Sequence, residues 1–99
     1  MVYTFNRYVW DLKKASSNFH KHGVTFEEAT LAFNDPEAIY LEDPLHSTPF
    51  EIRESIIGEA SERVLFVVFT VRLTDQSLRI ISARHANRRE RKRYEESKK

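Results

Sequence analysis

The chain predicts an α+β fold, with two helices first, a run of strands in the middle and a basic helix last. Three observations carry this expectation. Apolar residues recur at helical spacing near both ends, the middle of the chain alternates or runs apolar at strand spacing, and helix-start signals stand at Asp11, Thr25 and Asn87. The expected order is β-α-α-β-β-β-β-α, with the first strand joining a single antiparallel sheet.

Residues 3–10 alternate large apolar or aromatic side chains with polar ones, which is a strand signal. Asp11 is placed to cap the next helix, and Gly23 suits the left-handed position after its last turn. On that helix Leu12, Ala15, Ser16 and Phe19 are spaced to face a core. Thr25-Phe26-Glu27-Glu28 is a capping-box pattern that opens a short second helix carrying Ala29, Leu31, Ala32 and Phe33. Pro36 ends it, because proline disfavours helix at the preceding residue and has no backbone N–H. Residues 38–41 form a short strand candidate, and residues 42–50 a polar loop with two prolines. Strands are expected over 51–58 and 64–71, joined through "GEASER". The second of these is apolar on both faces, as a central strand would be. Residues 72–77 make a turn into a last strand over 78–83. Its alternation puts Leu78, Ile80 and Ser82 on one side and Arg79, Ile81 and Ala83 on the other. Asn87-Arg88-Arg89-Glu90, a second capping box, starts the final helix.

Ninety-nine residues suffice for one domain, spanning 1–99, with a modest core, and 40% hydrophobic and 12% aromatic content fit a globular protein. The absence of cysteine excludes disulfides and thiolate metal sites and suits a reducing compartment. The opening "MVYTFNRYVWD" has no apolar segment of signal-peptide type, and the longest apolar run, 64–69, is far too short to cross a bilayer. A soluble, cytoplasmic protein without membrane contact is expected. The net charge of +1 conceals an asymmetry. Residues 84–99 carry eight basic and three acidic side chains, net +5, and the remainder carries eight basic and twelve acidic, net −4. A basic end on an acidic body points to an anionic partner, with nucleic acid leading.

Lys14, Asn18 and His22 follow one another at four-residue spacing, so they share a helix face. The row reads either as solvated decoration or as an edge that meets an anion. Arg53, Arg72 and Arg84 lie in or beside strands, and antiparallel neighbours can bring such residues together. Guanidinium groups match phosphate oxygens with paired bonds and stabilise charge on a phosphate under attack. Each of them could equally pair with Glu51, Glu54 or Asp75. His22, His46 and His85 are candidate acids or bases. No metal-binding spacing, phosphate-cradling glycine loop or nucleophile elbow is present, so no metal and no cofactor are expected. The helix with Arg88, Arg89, Arg91 and Tyr94 could lie on an RNA backbone with Tyr94 stacked on a base. It could also pack Tyr94 on the sheet, or be gripped by an acidic protein.

The assembled pattern resembles the BrnT family of bacterial toxins from type II toxin–antitoxin modules. The likeness rests on Trp10-Asp11, Lys14, Asn18, "KHGVTFEEA", Asp35-Pro36, Arg53 with Ile57-Gly58, "LFVVFT" with Arg72, and "RIISARHANRRERKRYE". It implies a RelE-like fold, a growth-arresting ribonuclease activity, and a BrnA-type ribbon-helix-helix antitoxin through which operator DNA is bound. Position by position, the family pattern highlights Lys14, His22, Arg53, Arg72, Arg84 and Tyr94. Glu54 departs from it, because family members often carry an apolar residue there. A carboxylate beside a phosphate contact would weaken RNA binding or serve as a base. "VRLTDQSLR" is also long for the family turn.

The resulting expectation is a metal-independent endoribonuclease in which the ribose 2′-hydroxyl attacks the adjacent phosphate. Arg72 and Arg84 would clamp the phosphate with help from Arg53, and His22 would act as acid or base with Lys14 in support. Arg88, Arg89, Arg91 and Tyr94 would hold RNA. The alternative is a binding module that works only with its antitoxin, as a co-repressor on operator DNA.

Overall fold

A computed structural model describes residues 7–98 of the chain. Its elements are β1 (Arg7–Val9), α1 (Leu12–His22), α2 (Phe26–Thr30), β2 (Ile39–Glu42), β3 (Glu51–Ala60), β4 (Arg63–Arg72), β5 (Ser77–His85) and α3 (Arg88–Ser97). Short 3₁₀ turns at Leu31–Asn34 and Pro44–His46 fill the two Pro-containing connections. Tyr3 to Asn6 of the expected first strand lie outside the described residues. The element order is the one the sequence predicts.

The five strands form one sheet in the order β1-β5-β4-β3-β2. The pairs β2–β3, β3–β4 and β4–β5 are antiparallel, but β1 lies parallel to β5, so the sheet is mixed rather than wholly antiparallel. A parallel neighbour needs a long crossover. Everything from α1 to β4 supplies it here, which a reading of local alternation does not reveal.

The main core lies on one face, between the strands and the α1–α2 segment. It gathers Val24, Phe26, Ala29, Ile56, Leu65 and Phe69 with their neighbours. A smaller cluster on the opposite face packs Tyr94 of α3 on Ile57 and Ala86. Gly58 marks where the 3₁₀ turn after α2 presses on β3: a Cβ there would sit 2.8 Å from the Ala32 carbonyl oxygen.

The caps follow the sequence with one change. Asp11 accepts from the Lys14 amide, Gly23 closes α1 at φ 70°, and Asn87 and Glu90 form a reciprocal capping box. Thr25 accepts from the Glu28 amide at 3.0 Å, but the Glu28 carboxylate turns to Arg63. Strands β3 and β4 extend two residues beyond and one before their expected limits, so the "GEASER" connection shrinks to the two-residue turn Ser61-Glu62. Both residues are left-handed, at φ 51° and 66°, as a type I′ hairpin requires. Neither is glycine or asparagine. Left-handed backbone costs an ordinary residue about 1–2 kcal/mol, so the Ser61→Asn, Glu62→Gly variant should unfold at higher urea, by about 1 kcal/mol. An unchanged midpoint would show that the turn is unstrained.

The register of β5 also differs from simple alternation. Phe69 pairs with Ile80 but Val68 pairs with Ser82, so Ile81 is an extra, bulged residue. Leu78, Ile80 and Ala83 therefore share the core, while Arg79, Ser82 and Arg84 share the other face.

Candidate active site

Residues paired across neighbouring strands point to the same face. Arg53 pairs with Thr70 and Thr70 with Arg79, which makes one straight row across β3, β4 and β5. Glu51, Arg72, Ser77 and Arg7 form the adjacent row. On the other side follow Ser55–Val68–Ser82 and then Ile57–Phe66–Arg84. All lie opposite the main core. Helix α3 packs on the Ile57–Phe66 end. At the other end Arg53, Arg72 and Arg79 keep part of their side chains in solvent over a floor of Thr and Ser. The sheet thus brings Arg53 and Arg72 together as expected, and it adds Arg79.

Arg72 is the most accessible of the candidate clamp residues, with a side chain 51% exposed and, among the described residues, a single 3.7 Å ion pair to Asp75. Bonds from the Ser77 hydroxyl and amide hold the Asp75 carboxyl below the usual carboxylate range, with Arg72 and Arg7 adding to the effect. Arg53 approaches Asp43 at 3.5 Å, and its buried Nε makes no hydrogen bond among the described residues. That Nε faces the Asp43 carboxylate, which fixes how the guanidinium is aimed and leaves its outer nitrogens for an anion.

The row on α1 resolves into two roles. Asn18 is buried, and its amide nitrogen donates to the Val24 carbonyl at 3.0 Å and the Ala83 carbonyl at 2.8 Å, while its oxygen accepts from the Ala83 amide at 3.0 Å. The side chain thus does for β5 what a neighbouring strand would do, where β1 has already ended. Its flanking residues Lys14 and His22 line a cavity of about 290 Å³ with Lys13, Ser17, Lys21 and Ser82. Of the α1 residues expected in the core, Ala15 packs against it, but the docking turns the others away. Leu12 and Phe19 are 80% and 52% exposed rather than in the core, because the sheet edge demands polar partners and only the Asn18 face supplies them. Asn18→Ala leaves the Ala83 N–H and carbonyl without that partner, so a loss of about 2–3 kcal/mol is expected in urea unfolding. A loss under about 0.5 kcal/mol would mean that water replaces the amide.

Three sequence expectations change. Arg84 is not free to clamp: it makes paired bonds of 2.8 and 3.0 Å to Glu90 and lies 4.3 Å from the Phe66 ring centroid. Burial pushes the Glu90 carboxyl up, but the bonds from Arg84 and the Asn87 amide outweigh it and hold the group below its ordinary value. Tyr94 does not stack on a base. It is 1% exposed and its hydroxyl donates to Asp35 at 2.5 Å, because the small core beneath α3 needs its ring. Glu54 does not stand beside Arg53 on the arginine face. Adjacent strand residues point oppositely, and Glu54 is buried in the core, near enough to Tyr40 for its charge to add to the burial that raises that phenol. Arg88, Arg89 and Arg91 are exposed on α3, and Arg91 borders a separate cavity with Arg63 and His85.

The histidines separate in the same way. Arg63 donates to His85 Nε2 at 3.0 Å, which fixes that nitrogen as an acceptor, and also binds Glu28. His85 pairs with Leu65, on the core side of the sheet. His46 Nδ1 lies 2.9 Å from both oxygens of Asp43, the same carboxylate that Arg53 approaches. Sequence reasoning passed over Arg79 because its place in a row with Thr70 and Arg53 depends on the pairing register of three strands, and Asp43 because it stands in an irregular loop. Among the described residues no three His, Asp or Glu side chains are grouped to hold a metal ion, and no helix is long and apolar enough to cross a membrane.

No curated protein matches the chain. A family model described as the ribonuclease toxin, BrnT, of type II toxin–antitoxin systems matches residues 10–90. That span includes Lys14, His22, Arg53, Arg72, Arg79 and Arg84. The chain belongs to the BrnT family of type II toxin–antitoxin ribonuclease toxins.

Proposed function

We propose that the arginine face of the sheet cuts RNA internally, without a metal ion, by attack of a ribose 2′-hydroxyl on the neighbouring phosphate. The observation that carries this is the Arg53–Thr70–Arg79 row beside Arg72, bordered at the β5 edge by the Lys14–His22 cavity. Arg53 and Arg72 hold the phosphate oxygens and stabilise the charge that builds on them, with Arg79 between strand and cavity. Lys14 adds positive charge at the cavity. His22 gives a proton to the departing 5′-oxygen. Arg84 supports the face from below α3, and Arg88, Arg89 and Arg91 attract the RNA backbone from outside. The 1–99 chain acts as one domain, in the cytoplasm, and arrests growth. A BrnA-type ribbon-helix-helix antitoxin neutralises it, and operator DNA is reached only through that antitoxin.

The test is incubation of the purified chain with single-stranded RNA in excess chelator. Fragments ending in 2′,3′-cyclic phosphate and starting with 5′-hydroxyl are expected. Intact RNA, together with operator binding by the complex with its antitoxin, would replace this reading with that of a co-repressor.

A further inference from the structure

Resting on the reading of the arginine face as a nuclease, we infer that His46 is the base that takes the proton from the attacking 2′-hydroxyl, with Asp43 as its positioning residue. His46 belongs to a loop that the sequence shows only as polar and proline-rich, but the structure fastens that loop to Arg53. The Asp43 amide donates to the Arg53 carbonyl at 3.2 Å. The Ser47 hydroxyl accepts from the Arg53 amide at 2.9 Å and donates to the Asp43 carbonyl at 2.8 Å. The Asp43 carboxylate reaches the Arg53 guanidinium on one side and His46 Nδ1 on the other. An imidazole is therefore held beside Arg53, with one carboxylate facing both the guanidinium Nε and the imidazole Nδ1.

The Asp43 contact has a chemical consequence. A carboxylate only accepts, so Nδ1 carries the proton and Nε2 presents its lone pair outward. That is the tautomer a base requires, and the side chain is 62% exposed, so the nitrogen is open to substrate. His85 cannot serve, because Arg63 occupies its acceptor nitrogen. His22 lies across the sheet, beyond β5, while His46 lies at the β3 side. Attack and departure take place on opposite sides of the phosphorus, so the two histidines act on one phosphate only where the RNA lies across the strands between them. The bond from O2′ to phosphorus forms as the bond from phosphorus to O5′ breaks. The O2′ proton passes to His46 Nε2, and His22 protonates O5′.

A substrate with sulfur in place of the bridging O5′ separates the two roles, because thiolate departs without a proton. His46→Gln should cleave ordinary RNA about 10²–10⁴-fold more slowly than wild type, and the sulfur substrate should not restore it. His22→Gln should be restored. Asp43→Asn should slow cleavage on its own but much less in the His46→Gln background, where only its contact with Arg53 is left to lose. A full rate for His46→Gln on ordinary RNA, or its rescue by sulfur, overturns the assignment while the arginine face keeps its role. A wild type that cleaves neither RNA removes both.

Discussion

Arg72→Ala should lower the rate of RNA cleavage by about 10²–10³-fold, the usual effect of removing one donor aimed at developing charge. The same change should leave the unfolding midpoint almost where it was. Half of the side chain is already in water, and its ion pair to Asp75 at 3.7 Å is of the exposed kind that contributes at most about 1 kcal/mol. Arg84→Ala provides the contrast. That guanidinium joins β5 to the first turn of α3 through Glu90 and covers Phe66, so its removal should cost stability before it costs catalysis. Rates measured on short RNA, paired with urea melts of both variants, separate the two. An Arg72→Ala protein that cleaves at the wild-type rate would remove Arg72 from the site.

Tyr94→Ala should destabilise the fold by about 3–5 kcal/mol, the range for emptying a buried aromatic site. Tyr94→Phe keeps the ring and loses only the hydroxyl, and should cost about 1.5–3 kcal/mol, because its partner is a carboxylate. Asp35 accepts from the Tyr94 hydroxyl and from the amides of Glu59 and Glu37. It joins the 3₁₀ turn after α2, β3 and α3. Burial pushes its carboxyl up, but these three bonds outweigh burial and hold it below the ordinary value. The stability it supplies is therefore present above the ordinary carboxylate pKa, near 4, and is lost as the pH falls through the lower folded value. The Tyr94 phenol is pushed the other way, by burial first and by Asp35 second. Its contribution is complete below the ordinary phenol pKa, near 10, and declines as the pH rises above it. Urea unfolding of wild type and Tyr94→Phe across pH should show a gap that is widest between these limits and narrows below pH 4. If the gap does not change with pH, the hydroxyl is not bonded to an ionised Asp35.

The sequence made the local structure legible and left the faces obscure. Asp11, Gly23 and Asn87 announce helix ends through backbone needs that short-range chemistry meets. Arg53 and Arg72 stand out as candidates because they lie in or beside strands whose antiparallel pairing could bring them together. Which arginines share a face depends on register and on the bulge at Ile81, and neither is encoded within one strand. Glu54 is a partial exception: two-residue periodicity alone sets it opposite Arg53. The capture of Arg84 by Glu90 depends on a turn between them, and the burial of Tyr94 depends on Ile57, Ala86 and Asp35, all distant in the chain. The α1 face was misjudged because Leu12 and Phe19 outweigh one asparagine in any hydrophobicity count, whereas at the edge of β5 a single amide with both donor and acceptor decides the docking.

That asparagine also bears on solubility. An uncovered strand edge offers its backbone groups to any passing strand, and such edges template aggregation and domain swapping. Beyond β1, the edge of β5 at Ala83 is closed by one side chain rather than by a neighbouring strand. Asn18 is then a gatekeeper against strand addition, and a variant lacking it should form higher-order species at concentrations where the wild type stays dispersed.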